Sequence, residues 1–243
     1  MTRINKYLAE CGVCSRREAD RLVEQGRVKI NGQLATTGSQ VQPEDVVEVN
    51  GKTLQQKTKK VVLAYYKPVG VTCTEHDKHA KLPITKALNY KERLTYAGRL
   101  DQESEGLMIM TNDGALIQKM VKASQYHEKE YLVKVQKEIT EDFLTGMSQG
   151  VYLKELDQTT RPCKVEKVGK YTFRIILTQG LNRQIRRMCQ SFGYQVKELK
   201  RVRVVNIELG KLKSGEYREV TGEEKEKLYQ LCGMQQEHTA RKG

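Results

Sequence analysis

Residues 96–110 read Tyr96-Ala97-Gly98-Arg99-Leu100-Asp101-Gln102-Glu103-Ser104-Glu105-Gly106-Leu107-Met108-Ile109-Met110. The stretch is mostly polar up to Gly106 and wholly apolar after it. An apolar run entered directly from a glycine-bracketed turn predicts a buried strand. A loop that enters such a strand can hold a side chain still at a cleft. By composition alone, Asp101, Glu103 and Glu105 fit an acidic surface turn better than a functional loop.

Outward from this strand, the pattern predicts a larger unit in which strands outnumber helices. Strand-like runs lie at 61–66, 107–111, 131–135, 171–177 and 201–209, and helical runs lie at 115–123, 140–147, 182–192 and 222–232. The two kinds of element do not alternate as in βαβ units. We therefore expect an α+β domain with a mixed, mainly antiparallel sheet rather than a doubly wound one.

The amino-terminal part predicts a smaller module. A helical face of apolar residues begins at Ile4, and Ser15 with Glu18 matches a capping box that opens a second helix. Alternating residues predict strands at 28–31 and 46–49.

A linker is predicted at 55–60, because this segment lacks apolar residues and carries three Lys. The expected divisions are a small module at 1–58, a larger domain at 59–232 and a frayed tail at 233–243.

The composition of the 243 residues excludes several classes of protein. The longest apolar run is far shorter than the roughly 20 residues of a bilayer helix, and no signal-peptide core is present, so we expect a cytoplasmic protein. The six Cys are unevenly spaced and do not fit a disulfide framework. The formal net charge of +13 indicates a polyanionic partner, most commonly nucleic acid.

The positive charge is concentrated in two places. Residues 183–213 carry nine Lys or Arg against two acids, and Arg16, Arg17 and Arg21 lie on the second predicted helix, opposite its apolar side. Two basic surfaces could bind one folded polyanion at two places. The alternative is that both are solvated faces that keep the protein soluble.

Motifs for several kinds of chemistry are missing from the sequence. It contains no phosphate-binding loop, no dinucleotide fingerprint and no nucleophile elbow. The C-x-x-C at residues 11–14 has no second pair, and the histidines lack partners at ligand spacing, so no metal site is expected. The histidines are His76, His79, His127 and His238.

Two faces are predicted for the helix at 182–192. Its core stripe consists of Ile185, Met188, Cys189 and Phe192. Arg183, Arg186 and Arg187 must then project elsewhere, where they could bind phosphate or pair with a carboxylate.

Four segments taken together resemble the motifs of bacterial ribosomal RNA pseudouridine synthases of the RsuA/RluB/RluE/RluF group. In chain order they are Gly98-Arg99-Leu100-Asp101, Lys129-Glu130-Tyr131-Leu132-Val133, Gly180-Leu181-Asn182-Arg183-Gln184-Ile185-Arg186-Arg187-Met188 and Leu199-Lys200-Arg201-Val202-Arg203. Lys67-Pro68-Val69-Gly70 resembles the turn after the first strand of that catalytic domain. Residues 1–32 resemble the alpha-L RNA-binding module of ribosomal proteins. The segments 128–131 and 180–186 are most similar to the RluF branch of this group, which acts on large-subunit (23S) rRNA.

The resemblance implies that a uridine becomes pseudouridine: the C1′–N1 bond breaks, the uracil turns while bound, and C5 bonds to C1′. It implies a base extruded from its stack and no cofactor or metal. The implied partner is ribosomal RNA, with large-subunit rRNA first and tRNA or small-subunit rRNA as alternatives, and we expect a monomer.

The resemblance also implies roles for individual residues. Asp101 matches the catalytic aspartate, Tyr131 the tyrosine that stacks on the target base, and Arg186 the basic residue that pairs with the aspartate. The substrate-binding residues are expected to be Arg99, which would fill the gap left by the base, Leu199, which would pack the pocket floor, and Arg183, Arg16, Arg17 and Arg21. For Tyr131 and Leu199, ordinary positions in a strand core are the alternative.

Two other classes of function fit part of the pattern. A non-catalytic RNA-binding or ribosome-assembly factor would need only the amino-terminal module and the charge, yet binding alone requires no carboxylate among arginines. A base-flipping deaminase would need a cluster of metal ligands, which the sequence lacks.

Overall fold

The computed structural model describes residues 1–54, 59–74 and 82–234. Most of the predicted linker and tail, together with His76, His79 and His238, lies outside the described residues. The chain forms two compact units. The first unit comprises Met1–Val61, Tyr90–Thr95 and Asn112–Gly114, and the second comprises Val62–Asn89, Tyr96–Thr111 and Ala115–Gly243.

The first unit contains two helices and short strands. They are α1 (Ile4–Glu10), α2 (Arg16–Glu24), β1 (Thr2–Arg3), β2 (Val28–Ile30), β3 (Gln33–Leu34), β4 (Gln40–Val41), β5 (Val47–Val49) and β6 (Lys52–Thr53). The strands form the antiparallel pair β1–β4 and a sheet of order β3–β2–β5–β6. The predicted capping box is confirmed, since Ser15 Oγ accepts a hydrogen bond of 3.2 Å from the Glu18 N–H. The apolar faces of α1 and α2 meet β2 and β5 in one core.

The second unit contains the larger set of elements. Its strands are β7 (Val62–Lys67), β8 (Thr95–Tyr96), β9 (Glu105–Thr111), β10 (Lys129–Val135), β11 (Tyr152–Leu153), β12 (Gln158–Thr159), β13 (Lys164–Gly169), β14 (Thr172–Leu177), β15 (Val196–Val204), β16 (Ile207–Glu208) and β17 (Tyr217–Glu219). Its helices are α3 (Ile84–Leu88), α4 (Gly114–Val121), α5 (Glu141–Ser148), α6 (Gln184–Ser191) and α7 (Gly222–Leu231).

One mixed sheet organises the second unit. Its strand order is β13–β14–β10–β15–β9–β7–β17, with β16 beside β15 and β8 beside β9. Along this order the β15–β9 pair is parallel and the other pairs are antiparallel. The predicted α+β class with a mainly antiparallel sheet is confirmed. The parallel pair sets the start of β9 beside β15, and this edge is where the polar loop 97–104 enters the sheet.

Two predicted elements differ from the structure. The strand expected at 201–209 is divided into β15 and β16, because Val205 has a φ of +56° and turns the chain. The helix expected from residue 182 begins at Gln184, because Arg183 has a left-handed backbone with φ +51°.

Two further expectations can be compared with the described residues. All six cysteines are free thiols. None of the helices in the described ranges has the length and apolarity needed to cross a bilayer.

Candidate active site

A cavity of about 660 Å³ in the second unit collects six of the residues singled out from the sequence. They are Arg99, Asp101, Tyr131, Arg183, Arg186 and Leu199. The other three, Arg16, Arg17 and Arg21, lie exposed on α2 in the first unit. The cavity volume lies in the range of small-ligand sites in proteins.

The loop that carries Asp101 is held by hydrogen bonds at several points. The Leu100 N–H donates to Cys73 Sγ at 3.5 Å. The Gly70 N–H donates to the Gln102 carbonyl at 2.8 Å, and the Ser104 N–H donates to the Asp101 carbonyl at 3.0 Å. The Asp101 side chain is 37% exposed and lines the cavity. A carboxylate on a loop fixed in this way has a defined direction, which a free surface turn would not provide.

Lys67 supports this loop through a hydrogen bond to its backbone. It was not predicted from the sequence as a site residue. Its ammonium is fully buried and donates to the carbonyls of Pro68 at 2.8 Å and Ser104 at 2.7 Å. Burial lowers the pKa of Lys67. A lysine at the end of a wholly apolar strand is the signal that could have identified it, because a buried ammonium needs acceptors.

Gly106 allows the loop to enter the sheet. Its φ is +108°, and a Cβ at this position would lie 2.3 Å from the carbonyl oxygen of Arg201 on β15. Any larger residue would therefore push β9 away from its parallel partner.

The arginines beside the loop are arranged differently from the prediction. Arg183 places Nη1 3.8 Å from Asp101 Oδ2. It also donates to both carboxylate oxygens of Glu103, at 3.1 and 3.2 Å. Arg186, which was expected to pair with Asp101, instead lies 3.5 Å from Glu103 Oε2 and donates to Ser104 Oγ and to the Val196 carbonyl, each at 3.4 Å.

The predicted Arg186–Asp101 pair is therefore wrong for this structure. The reason is backbone geometry. Arg183 lies just before α6 in a left-handed conformation, and its side chain, rather than that of Arg186, contacts Asp101. Its bidentate hydrogen bonds lower the pKa of Glu103 and raise the pKa of Arg183 itself. Two carboxylates and two guanidinium groups thus share one edge of the cavity.

The walls of the cavity come from β10 and β15. Tyr131 faces Arg201 in the strand register, and Val133 faces Leu199. Tyr131 and Leu199 are both buried, which also fits their alternative as strand core, yet both contribute surface to the cavity.

Two cations in these walls were not singled out from the sequence as site residues. The buried Arg201 donates through Nε to the Leu107 carbonyl at 2.7 Å. Lys129 donates to the His127 carbonyl at 3.1 Å. Burial, followed by the nearby Arg201 charge, lowers the pKa of Lys129 to about 8. The described residues hold no cluster of three or more His, Cys, Asp or Glu placed to bind a metal.

Comparison with known proteins decides the family. Residues 61–191 match the model of RNA pseudouridylate synthases, and residues 2–47 match that of the S4 domain. The chain belongs to the RNA pseudouridylate synthase family. The enzyme class and the order of a small amino-terminal module and a synthase domain are thereby confirmed.

Individual relatives agree with this assignment. The synthase is 48% identical over 231 residues to the dual-specificity RNA pseudouridine synthase RluF of Escherichia coli K12, covering 94% of this chain and 79% of that protein. It is 35% identical to the ribosomal large subunit pseudouridine synthase B of Bacillus subtilis, with 96% and 97% covered. A crystal structure of a pseudouridylate synthase aligns with a TM-score of 0.69 at 28% identity, covering 94% of this chain and all of that one.

Proposed function

We propose that this synthase isomerises a specific uridine of ribosomal RNA, most directly in the large subunit. The observation that carries the proposal is the Asp101 carboxylate, which lies on a hydrogen-bonded loop and lines the same cavity as Tyr131. The relatives named for large-subunit RNA and for RluF supply the substrate class.

In the proposed mechanism the target base is extruded and enters the cavity between Tyr131 and Leu199. The Tyr131 ring offers a flat face for stacking, which contributes roughly 1 to 3 kcal/mol per base. Arg99 fills the space that the base leaves in the RNA. The C1′–N1 bond then breaks, the uracil turns, and C5 bonds to C1′. The C5 proton leaves and N1 gains one, so that the product is an isomer of the substrate.

Asp101 can assist this sequence in two ways. It can attack C1′, as the nucleophile of a retaining glycosidase does, or it can accept a proton from C2′ so that the uracil departs by elimination. Both roles need an oriented carboxylate. We propose that Arg183 orients the Asp101 carboxylate. We propose that Arg186 holds Glu103 and Ser104 of the same loop in place.

RNA binding is assigned to both units. The exposed arginines of α2 would contact phosphates, and the cavity edge would bind the nucleotide that reacts. We propose a division near residue 58 and a synthase domain that ends near residue 232. We also propose that the protein is a monomer, since a single chain supplies every residue of the proposed catalytic set, and that it acts in the cytoplasm.

Mapping pseudouridines in RNA from cells with and without this gene tests the proposal. Large-subunit rRNA, small-subunit rRNA and tRNA would be sequenced in parallel. We expect one or a few positions of large-subunit rRNA to lose pseudouridine and to regain it when the gene is restored. Loss confined to tRNA or to small-subunit rRNA would overturn the substrate assignment while leaving the chemistry intact.

A further inference from the structure

An exposed tyrosine with an arginine stacked on it lies beside the cavity. The guanidinium carbon of Arg161 is 4.0 Å from the centre of the Tyr126 ring. Tyr126 is 59% exposed, so much of the ring surface remains open to solvent. Its backbone has a φ of +53°, an uncommon conformation for a bulky non-glycine residue. The proposed mechanism uses neither residue.

The strand pairing places this stack at the cavity rim. Residue 126 precedes β10, residue 178 follows β14, and the two strands pair with Lys129 opposite Leu177. Arg161 is tied to the second segment, because its Nη1 donates to the Thr178 carbonyl at 3.2 Å and its N–H donates to Gln179 Oε1 at 2.8 Å. Thr178, Gln179 and His127 all line the cavity.

We infer that Tyr126 and Arg161 form a subsite for an unpaired nucleobase adjacent to the extruded uridine. This inference rests on the proposed function, because it takes the cavity to be the uridine site. Unpaired bases in RNA are bound by stacking on aromatic rings and guanidinium planes. Here the two planar groups already stack on one another, and a base could extend the stack on the open part of the ring.

The charge around the stack fits an RNA occupant. Arg161 brings a permanent cation to the rim. Lys122, which precedes Tyr126 closely in the sequence, is exposed and lines the cavity. A nucleotide whose base stacks on Tyr126 would carry its phosphate past these cations. The alternative is that the pair only holds the turn before β10, in which case its removal would not depend on which base is present in the RNA.

A double-mutant cycle between protein and RNA tests the subsite. The probe is a synthetic large-subunit rRNA fragment centred on the uridine mapped as above. Each of the nucleotides flanking that uridine is replaced in turn by an abasic ribose. Wild type and Tyr126→Ala are assayed for kcat/KM and for Kd on every RNA. At one flanking position we expect the abasic change to cost wild type roughly 5- to 150-fold, the effect of losing one stacked base.

The two changes should be non-additive at that position. Tyr126→Ala should lose a similar factor on intact RNA and lose little more on the abasic RNA, whereas Tyr126→Phe should behave as wild type. Tyr171→Ala is the matched control, since Tyr171 is also an exposed tyrosine with a cation near its ring but precedes β14, at the opposite end of that strand from Thr178. It should respond to the abasic series as wild type does.

Additive losses at every flanking position, with wild type converting the intact fragment normally, would overturn the subsite and leave the proposed function in place. If deletion of the gene removed no pseudouridine from any of the mapped RNAs, the proposed function itself would fail, and the subsite with it. Equal melting temperatures of wild type and Tyr126→Ala would show that the loss is not one of folding.

Discussion

Arginines serve in two different settings in this synthase. On α2, Arg16 and Arg17 are exposed, and the neighbouring Arg21 has a single acidic contact, to Glu18 at 3.1 Å. In the cavity, Arg183 and Arg186 each contact two or more groups of the loop 101–104 or of β15.

The difference shows how the same side chain performs two tasks. A guanidinium with several fixed partners cannot move to meet a phosphate without breaking them, so it is suited to orient a carboxylate. An exposed guanidinium keeps its donors for phosphates and contributes affinity that falls with salt. We therefore expect substitutions in the cavity to change turnover and substitutions on α2 to change RNA affinity.

The largest effect is expected from Asp101→Asn, which removes the carboxylate charge that lies 3.8 Å from Arg183 Nη1. Turnover should fall by about 10⁴-fold or more, as when a nucleophile or its activating group is removed. RNA affinity should hold or rise, because one repulsion of RNA phosphates is gone and Arg183 loses a partner. Tritium release from RNA labelled at uridine C5 measures turnover, since that proton leaves when C5 bonds to the sugar.

Asp157→Asn is the matched control for this substitution, since Asp157 lies in a left-handed turn outside the cavity lining and asparagine tolerates that conformation. It should release tritium at the wild-type rate. Release at that rate by Asp101→Asn as well would end the catalytic assignment and return residues 101–105 to the acidic turn that composition also allowed.

The next largest effect should separate the two cavity arginines. Arg183→Gln removes the ion pair with Asp101 and the charge-assisted hydrogen bonds that hold Glu103 in the same loop. We expect kcat to fall roughly 10- to 150-fold, the equivalent of losing one such hydrogen bond of about 1.5 to 3 kcal/mol. Arg186→Gln should cost less in kcat, because its contacts are to Glu103, Ser104 and Val196. The reverse order would mean that the Arg186–Asp101 pair forms once RNA is bound.

Patterns with a strong local cause could be read from the sequence. The capping box at Ser15 and the apolar run of β9 were predicted because each depends on neighbouring residues. The edge strand β13 was not predicted, since its charged residues alternate with few apolar ones and it buries little surface.

The arrangement of the site depends on contacts distant in sequence. Six of the residues that line the cavity were singled out from the sequence, but their roles stay predictions. Which arginine meets Asp101 could not be read, because it depends on the left-handed backbone of Arg183. Lys67 and Arg201 were missed as supports, because each donates to a carbonyl distant in sequence, that of Ser104 for Lys67 and that of Leu107 for Arg201.

A smaller effect is expected from replacing Arg16, Arg17 and Arg21 together by Gln. If each contacts one phosphate, the slope of log Kd against log salt should shrink by about 2, and affinity near physiological salt should fall roughly 10- to 50-fold. The kcat at saturating RNA should stay unchanged. Binding would be titrated on an rRNA fragment at several salt concentrations.

The control removes the same charge from exposed lysines of the second unit, through Lys154→Gln, Lys164→Gln and Lys227→Gln combined. Its slope should remain close to that of wild type. Equal slopes for wild type and the α2 variant would show that these arginines are solvated and would break the comparison between the two settings.

The last effect concerns stability and comes from Lys129, a cavity cation whose folded pKa is about 8 against 10.5 for an ordinary lysine. Below pH 8 both folded and unfolded chains carry the proton, and the folded state bears the cost of the buried charge. Between about pH 8 and 10.5 the folded state has released the proton and the unfolded state has not, so stability rises with pH, by at most about 1.4 kcal/mol per unit. Lys129→Met should lack this rise, whereas the exposed Lys29→Met should keep it. Urea midpoints from pH 7 to 10 measure both, and parallel curves for wild type and Lys129→Met would show that the ammonium is solvated.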